Sequence, residues 1–352
     1  MSDAMTLFSQ ALEQLRLVAV NVPGLTELAQ FPFLFRPLVM VVLLGVVAGV
    51  IGVIVNLRSA EFSAEAMVHA VFPGIVAGAV YWGIDAIIPA ASVVAVAAAL
   101  VLTIVSHRSR RGEASEAGTA VVLTSFFSVG LILSLAKGDM SGQLEALMFG
   151  RLLEVTDARL AQALIVCAVA LLLIAATWKE QVAYAFDRTG ARASGLRILA
   201  LDLVLNTAIA AAVVSASTAV GILLVIGYLV IPGATARVLA SRVRAMVVVA
   251  IAVGVGGGYL GMLLMVLPET LDKPISPQAI VALVMTGILL LAVGVSTARE
   301  RLDRIRHRPH SAQPVTVAAT STTAGAEAAA DRAGGAEGSA SGVTPVAERG
   351  RV

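Results

Sequence analysis

Glu65 and His69 are the sharpest pair of chemistry-bearing residues in the chain. Four residues apart, they share one face of a helix, and they stand in an apolar stretch, EAMVHAVFPGIVAG. Both types are expensive in lipid and tend to face a cavity or pathway. A carboxylate oxygen and an imidazole nitrogen together suit a borderline divalent ion such as zinc or manganese. Two donors make a weak site, so further ligands would come from neighbouring helices or a second subunit. The same spacing also fits a plainer arrangement, with Glu65 near the interface and His69 hydrogen-bonded to it.

Asp202 and Asn206 form a second pair at the same spacing. They read either as pathway groups or as packing, since Asp202 is near enough to a span end to reach headgroups. Two dipeptides, Pro73-Gly74 and Pro232-Gly233, interrupt apolar runs. Each breaks a hydrogen-bond ladder, which gives a kink or turns backbone polar groups toward a cavity. The single cysteine, Cys167, lies in LIVCAVALLLIAA and reads as an apolar filler. The sequence contains neither GxxxxGK[ST] nor HExxH, and has four His. It therefore lacks the phosphate-cradling loop of a nucleotide-hydrolysing subunit and the zinc-ligand spacing of a metalloprotease. Moving something across a bilayer fits better than making or breaking bonds.

The elements that must position these residues are membrane spans. Of 352 residues, 58% are hydrophobic and only 14% charged, with mean hydropathy +0.91. A soluble domain is about 45–50% apolar and about 25% charged, so an ordinary soluble enzyme is excluded. The net charge of +2 gives no reason to expect a nucleic-acid partner. Apolar runs cover residues 37–56, 65–84, 87–106, 118–136 and 160–178, start again near 198 and 220, and continue at 243–267 and 279–297. Each is long enough to cross, and backbone satisfaction in lipid makes each a helix. An all-α polytopic bundle of eight to nine spans is expected. Gly45, Gly49 and Gly52, with Gly254, Gly257, Gly258 and Gly261, carry the small-residue spacing of close helix packing.

With nine spans and the polar loop 179–197 inside, sixteen Lys and Arg fall on the inner side and six on the outer. That distribution obeys the positive-inside rule and puts the N-terminus outside. Residues 1–36 read as a flanking segment without a cleavable leader, and 37–298 as the membrane domain. Residues 299–352, rich in Ala, Gly, Ser and Thr beyond Arg308, read as a mostly disordered cytoplasmic tail in which His307 and His310 are solvated.

Four segments, in order, resemble the permease subunits of bacterial zinc/manganese-type ABC importers, the ABC-3 family. LRSAEFSAEAMVHAVFPGIVAG supplies Glu65, His69 and Gly74; the family's usual acidic residue is Asp, one methylene shorter than Glu65. LMFGRLLEV carries Arg151 where an acidic residue is usual. AFDRTGARASGL, with Asp187, Ala191 and Gly195, is similar to the cytoplasmic segment that meets the ATPase. VGILLVIGYLVIPGATAR is similar to the family's most recognisable stretch. The resemblance implies a multi-pass protein of the bacterial inner membrane, working with a second permease copy, cytoplasmic ATPase subunits and an extracytoplasmic metal-binding protein. It implies zinc or manganese as cargo, Glu65 and His69 as pathway residues, and no covalently bound cofactor. Two rivals remain. A permease for a siderophore- or cobalamin-like chelate would need no inward ligand pair. A secondary ion transporter should show inverted repeats with paired intramembrane charges.

Overall fold

Helix α1 (Ser2–Val20) and the short α2 (Thr26–Ala29) lead into α3 (Pro32–Leu57), the first helix long and apolar enough to span. The structure is a computed structural model that describes residues 2–108, 112–136, 149–266 and 276–306, and its described elements are all helical. Residues 1–303 form one compact unit. Of the second unit, Arg304–Val352, only the first three residues are described.

The first span starts at Pro32, not at residue 37. Pro32 occupies the first helical turn, where a missing N–H costs nothing, and Pro37 lies inside the helix close enough to its start to cost one ladder bond. The flanking segment is therefore structured. The second span is broken into α4 (Glu61–Ala70), α5 (Phe72–Ala77) and a π-helical turn over Gly78–Trp82. Pro73 sits at the start of α5, where it begins a new helix rather than bending an old one.

The remaining spans are α6 (Ile87–Arg108), α7 (Gly112–Leu135), α8 (Asp157–Ala176), α11 (Ile198–Ser217), α12 (Ile222–Leu239), α13 (Val243–Val266) and α14 (Pro277–Arg306). Between α8 and α11 lie two short helices, α9 (Trp178–Phe186) and α10 (Arg188–Ala193). Eight described helical stretches meet the length and hydropathy of a span, and α12 is a shorter apolar helix. At 18 residues, or about 27 Å, α12 nearly matches a hydrocarbon core of about 30 Å.

Contacts between helix ends fit α12 as a further crossing. At one end, Arg58 after α3 bonds Gln181 of α9 and Asp202 of α11, and Arg237 near the end of α12 donates to the Asn56 carbonyl at 2.9 Å. At the other, Arg36 in α3 pairs with Asp157 at the start of α8, and Arg159 reaches Asp85 before α6 at 3.1 Å. Gln278 at the start of α14 donates to the Gly150 carbonyl there at 2.6 Å. Among the described residues these pairings fit nine crossings, the eight strongly apolar spans and α12. The tail boundary also moves: α14 runs to Arg306, beyond residue 298. The expected disordered tail, with His307 and His310, lies outside the described residues.

Helix α3 is the hub, packed against α13, α12 and α8. It is apolar all round, as a largely buried helix is expected to be. Its glycines face other backbones: a Cβ on Gly45 would stand 2.6 Å from the Val255 nitrogen, and one on Gly49 2.7 Å from the Ile251 nitrogen. Gly52 faces Leu229 and Gly233 of α12 in the same way. The Tyr228 hydroxyl donates to the Val41 carbonyl at 2.9 Å, joining α12 to α3 within the buried core.

Candidate transport site and coupling region

Glu65 and His69 both lie on α4, about 6 and 12 Å along it from its first residue. The His69 Nδ1 lies 3.1 Å from the Glu65 main-chain oxygen. A carbonyl can only accept, so Nδ1 is the donor in this contact and Nε2 is the ring nitrogen left for a further partner. The ring is held edge-on against Phe127 of α7, with centroids 5.4 Å apart. Phe72 packs on the same Phe127 at 5.1 Å.

The imidazole is thus aimed by a backbone bond and by an aromatic neighbour, not by the Glu65 carboxylate. That carboxylate is exposed, as is Phe62, while His69 is half-buried. Phe62, Glu65 and His69 therefore form a stripe opening out of the protomer. Among the described residues no cluster of three His, Cys, Asp or Glu could hold a metal. Glu65 and His69 are two candidate donors on an open face.

Asp202 and Asn206 line a polar cavity of about 430 Å³ at the α9 end, together with Arg58, Ser63, Tyr184 and Arg188. Asp202 pairs with Arg58, and Asn206 donates to the Thr103 hydroxyl at 2.9 Å. Arg58 also donates to Gln181 at 2.6 Å and stacks over the Tyr184 ring, 4.1 Å from its centroid. Gln181, fully buried, donates in turn to the Leu201 carbonyl at 2.9 Å. Burial first, and the Asp202 carboxylate second, push the Tyr184 phenol above its usual pKa. The result ties α3, α9 and α11 together through charged and polar groups whose partners complete one another.

The segment around Asp187, Ala191 and Gly195 folds as those residue types dictate. Asp187 caps α10, its carboxylate accepting from the Thr189 and Gly190 N–H groups at 2.9 Å each. Ala191 is buried among Tyr184, Ile198 and Leu201. Gly195 ends the turn at φ +80°, a left-handed conformation that disfavours side chains. Beside this capped turn the Phe186 ring is 72% exposed.

The two Pro-Gly pairs do different work. Gly74 brings α5 close to α6, where a Cβ would meet the Ala91 Cα at 2.8 Å. Pro232 lies within α12, and Gly233 meets the backbone of Gly52. Both glycines serve close packing. Arg58 and Gln181 are site residues that sequence reasoning misses. Their partners lie 123 and 144 residues from Arg58, and only a polar Gln in an otherwise amphipathic loop hints at them.

Among the described residues, eight helices long and apolar enough to cross, with the shorter apolar α12, make this a multi-pass membrane protein of the permease type. The sequence profile of the ABC 3 transport family matches residues 30–296, and the chain belongs to that family. It is 34% identical over 239 residues to the manganese transport system membrane protein MntC of Listeria monocytogenes, covering 68% of this chain and 83% of that one. It is 31% identical over 232 residues to the chelated iron transport system membrane protein YfeC of Yersinia pestis, covering 65% and 77%. Among solved structures, PsaBC from Streptococcus pneumoniae in complex with Fab aligns with a TM-score of 0.65 at 26% identity, covering 76% of this chain and 94% of that one.

Proposed function

We propose that this chain is the membrane-spanning permease subunit of an ATP-driven importer for a divalent transition metal, manganese or zinc, in the bacterial cell membrane. The observation that carries the reading is the α4 stripe. His69 presents a free Nε2 beside an exposed carboxylate on a broken membrane helix, and one protomer leaves the set incomplete. A carboxylate facing lipid is costly. A second permease copy, apposed along α4, would cover Glu65 and bring its own pair to the same ion. The cargo is then held by few ligands, as a transported ion must be if it is to leave again.

Energy comes from separate ATPase subunits docking at the α9–α10 end, where Phe186 supplies an exposed aromatic anchor. That end is the cytoplasmic one by the distribution of Arg and Lys. An extracytoplasmic binding protein delivers the ion at the opposite end. The manganese relative favours a bare ion; the chelated-iron relative keeps a chelate as the alternative. The test is uptake into proteoliposomes holding the permease, its ATPase and its binding protein. Free manganese or zinc should enter with ATP inside and not without it. Entry of a metal chelate alone, with free ions excluded, would overturn the reading.

A further inference from the structure

Helix α1 divides into three arcs at about 100° per residue. Phe8, Ser9, Leu12, Arg16 and Ala19 turn toward the protein, with Leu12 and Ala19 buried. Thr6, Gln10, Glu13 and Gln14 form an exposed polar arc. Between these, on the other side, runs an exposed apolar arc of Leu7, Ala11, Leu15 and Val18, in which Leu7 is 66% and Val18 64% exposed. Leu17 is the one large apolar residue within the polar arc. A helix free in water would not keep such a stripe.

Position supplies the second observation. Ser9 donates to Asp157 in the first turn of α8 at 2.8 Å, and Arg16 donates to the Ala29 and Gln30 carbonyls just before α3 at 3.0 and 3.2 Å. The Tyr259 hydroxyl, near the end of α13, reaches the Gly24 carbonyl. Helix α1 therefore lies across span ends, at the depth where hydrocarbon gives way to headgroups. Exposed aromatics gather at this end: Phe31 and Phe33 before and within the first turn of α3, and Tyr81 and Trp82 at the end of the second span. The amphipathic rings of Tyr and Trp, here Tyr81 and Trp82, mark that depth in membrane proteins.

We infer that α1 lies in the plane of the bilayer, with Leu7, Leu15 and Val18 inserted among acyl chains, its polar arc in water and its third arc clamped to α3 and α8. The occupant of the exposed stripe is phospholipid, because α1 packs on α3 and α8, and α8 itself presents exposed Ile165, Val169 and Leu172 to the bilayer. The described polar arc carries Glu13 and no Lys or Arg, so insertion is apolar and does not depend on anionic headgroups.

Spin labels on single cysteines test this. Cys167 is fully buried, so labels placed at 7, 10, 14, 15 and 18 can be read in the otherwise native chain, with the unaltered chain as the background. In proteoliposomes of zwitterionic lipid, collisions with oxygen should exceed collisions with a water-soluble nickel complex at 7, 15 and 18. The order should reverse at 10 and 14. Adding phosphatidylglycerol should leave the pattern unchanged. Greater nickel access at 15 and 18 would put the stripe in water, and shielding from both reagents would mean that protein covers it. Either result overturns the inference.

Discussion

The contact of α3 with α13 and the contact of α4 with α7 are built on opposite plans. In the first, glycines bring backbones together, the apolar window of α3 is 72% buried, and no ionisable side chain stands between Gly45 and Gly52. In the second, an imidazole leans on a phenylalanine of a helix only 22% buried, along a span already broken twice. Packed cores resist deformation, whereas broken helices expose ladder groups and admit small shifts. The difference fits the proposed function, in which α3, α12 and α13 would be the static frame and α4 the working surface.

Breaking the frame should have the largest effect. A side chain on Gly45 or Gly254 meets backbone that cannot swing aside, with approaches of 2.6 Å in both cases. Overpacking of even ordinary sites costs about 1–3 kcal/mol, and these clashes are harder. Gly45→Val and Gly254→Val should each abolish recovery of a monodisperse protein from membranes, read by size-exclusion profiles. Gly256→Val and Gly287→Val should instead be recovered like the unaltered chain, because both glycines have open space around them.

The polar knot at the α9 end stands between the two plans, being rigid but charged. Arg58 is nearly buried, and removing one partner of a buried pair costs about 3–5 kcal/mol. Arg58→Ala should therefore lower the midpoint of thermal unfolding more than Asn206→Ala, which loses one neutral hydrogen bond of about 1 kcal/mol. Equal shifts in the two variants would remove Arg58 from its central place.

Smaller changes should fall on the capped turn. Asp187→Ala removes a cap worth about 1 kcal/mol, and Gly195→Pro cannot adopt φ +80°. Both should leave the membrane bundle folded while weakening ATPase association and uncoupling ATP hydrolysis from transport. Normal pull-down of the ATPase by both variants would contradict this. The smallest effect is expected from truncation after Arg308: uptake should stay within about twofold, the size of an ordinary change in abundance. A larger loss at matched membrane level would make the tail regulatory.

The frame was legible because long apolar runs have one solution in lipid, and Gly45, Gly49 and Gly254 stand at a spacing with a physical reason. The break in the second span was legible only at Pro73, since nothing in GAVYW announces a π-turn. Helix α1 was missed because its charges hid a stripe shared among three arcs. The Arg58 knot joins residues far apart in the chain, a relation that periodicity does not carry. The Glu65–His69 spacing was legible, but the sequence could not reveal that the imidazole bonds the Glu65 backbone, leaving the carboxylate to face outward.

The most direct test is manganese and zinc uptake by Glu65→Ala and His69→Ala, alongside a wild type reconstituted at matched levels. If the pair belongs to the working surface, as proposed, both variants should fold, dimerise and bind the ATPase normally yet lose uptake. Wild-type rates in both variants would contradict the account.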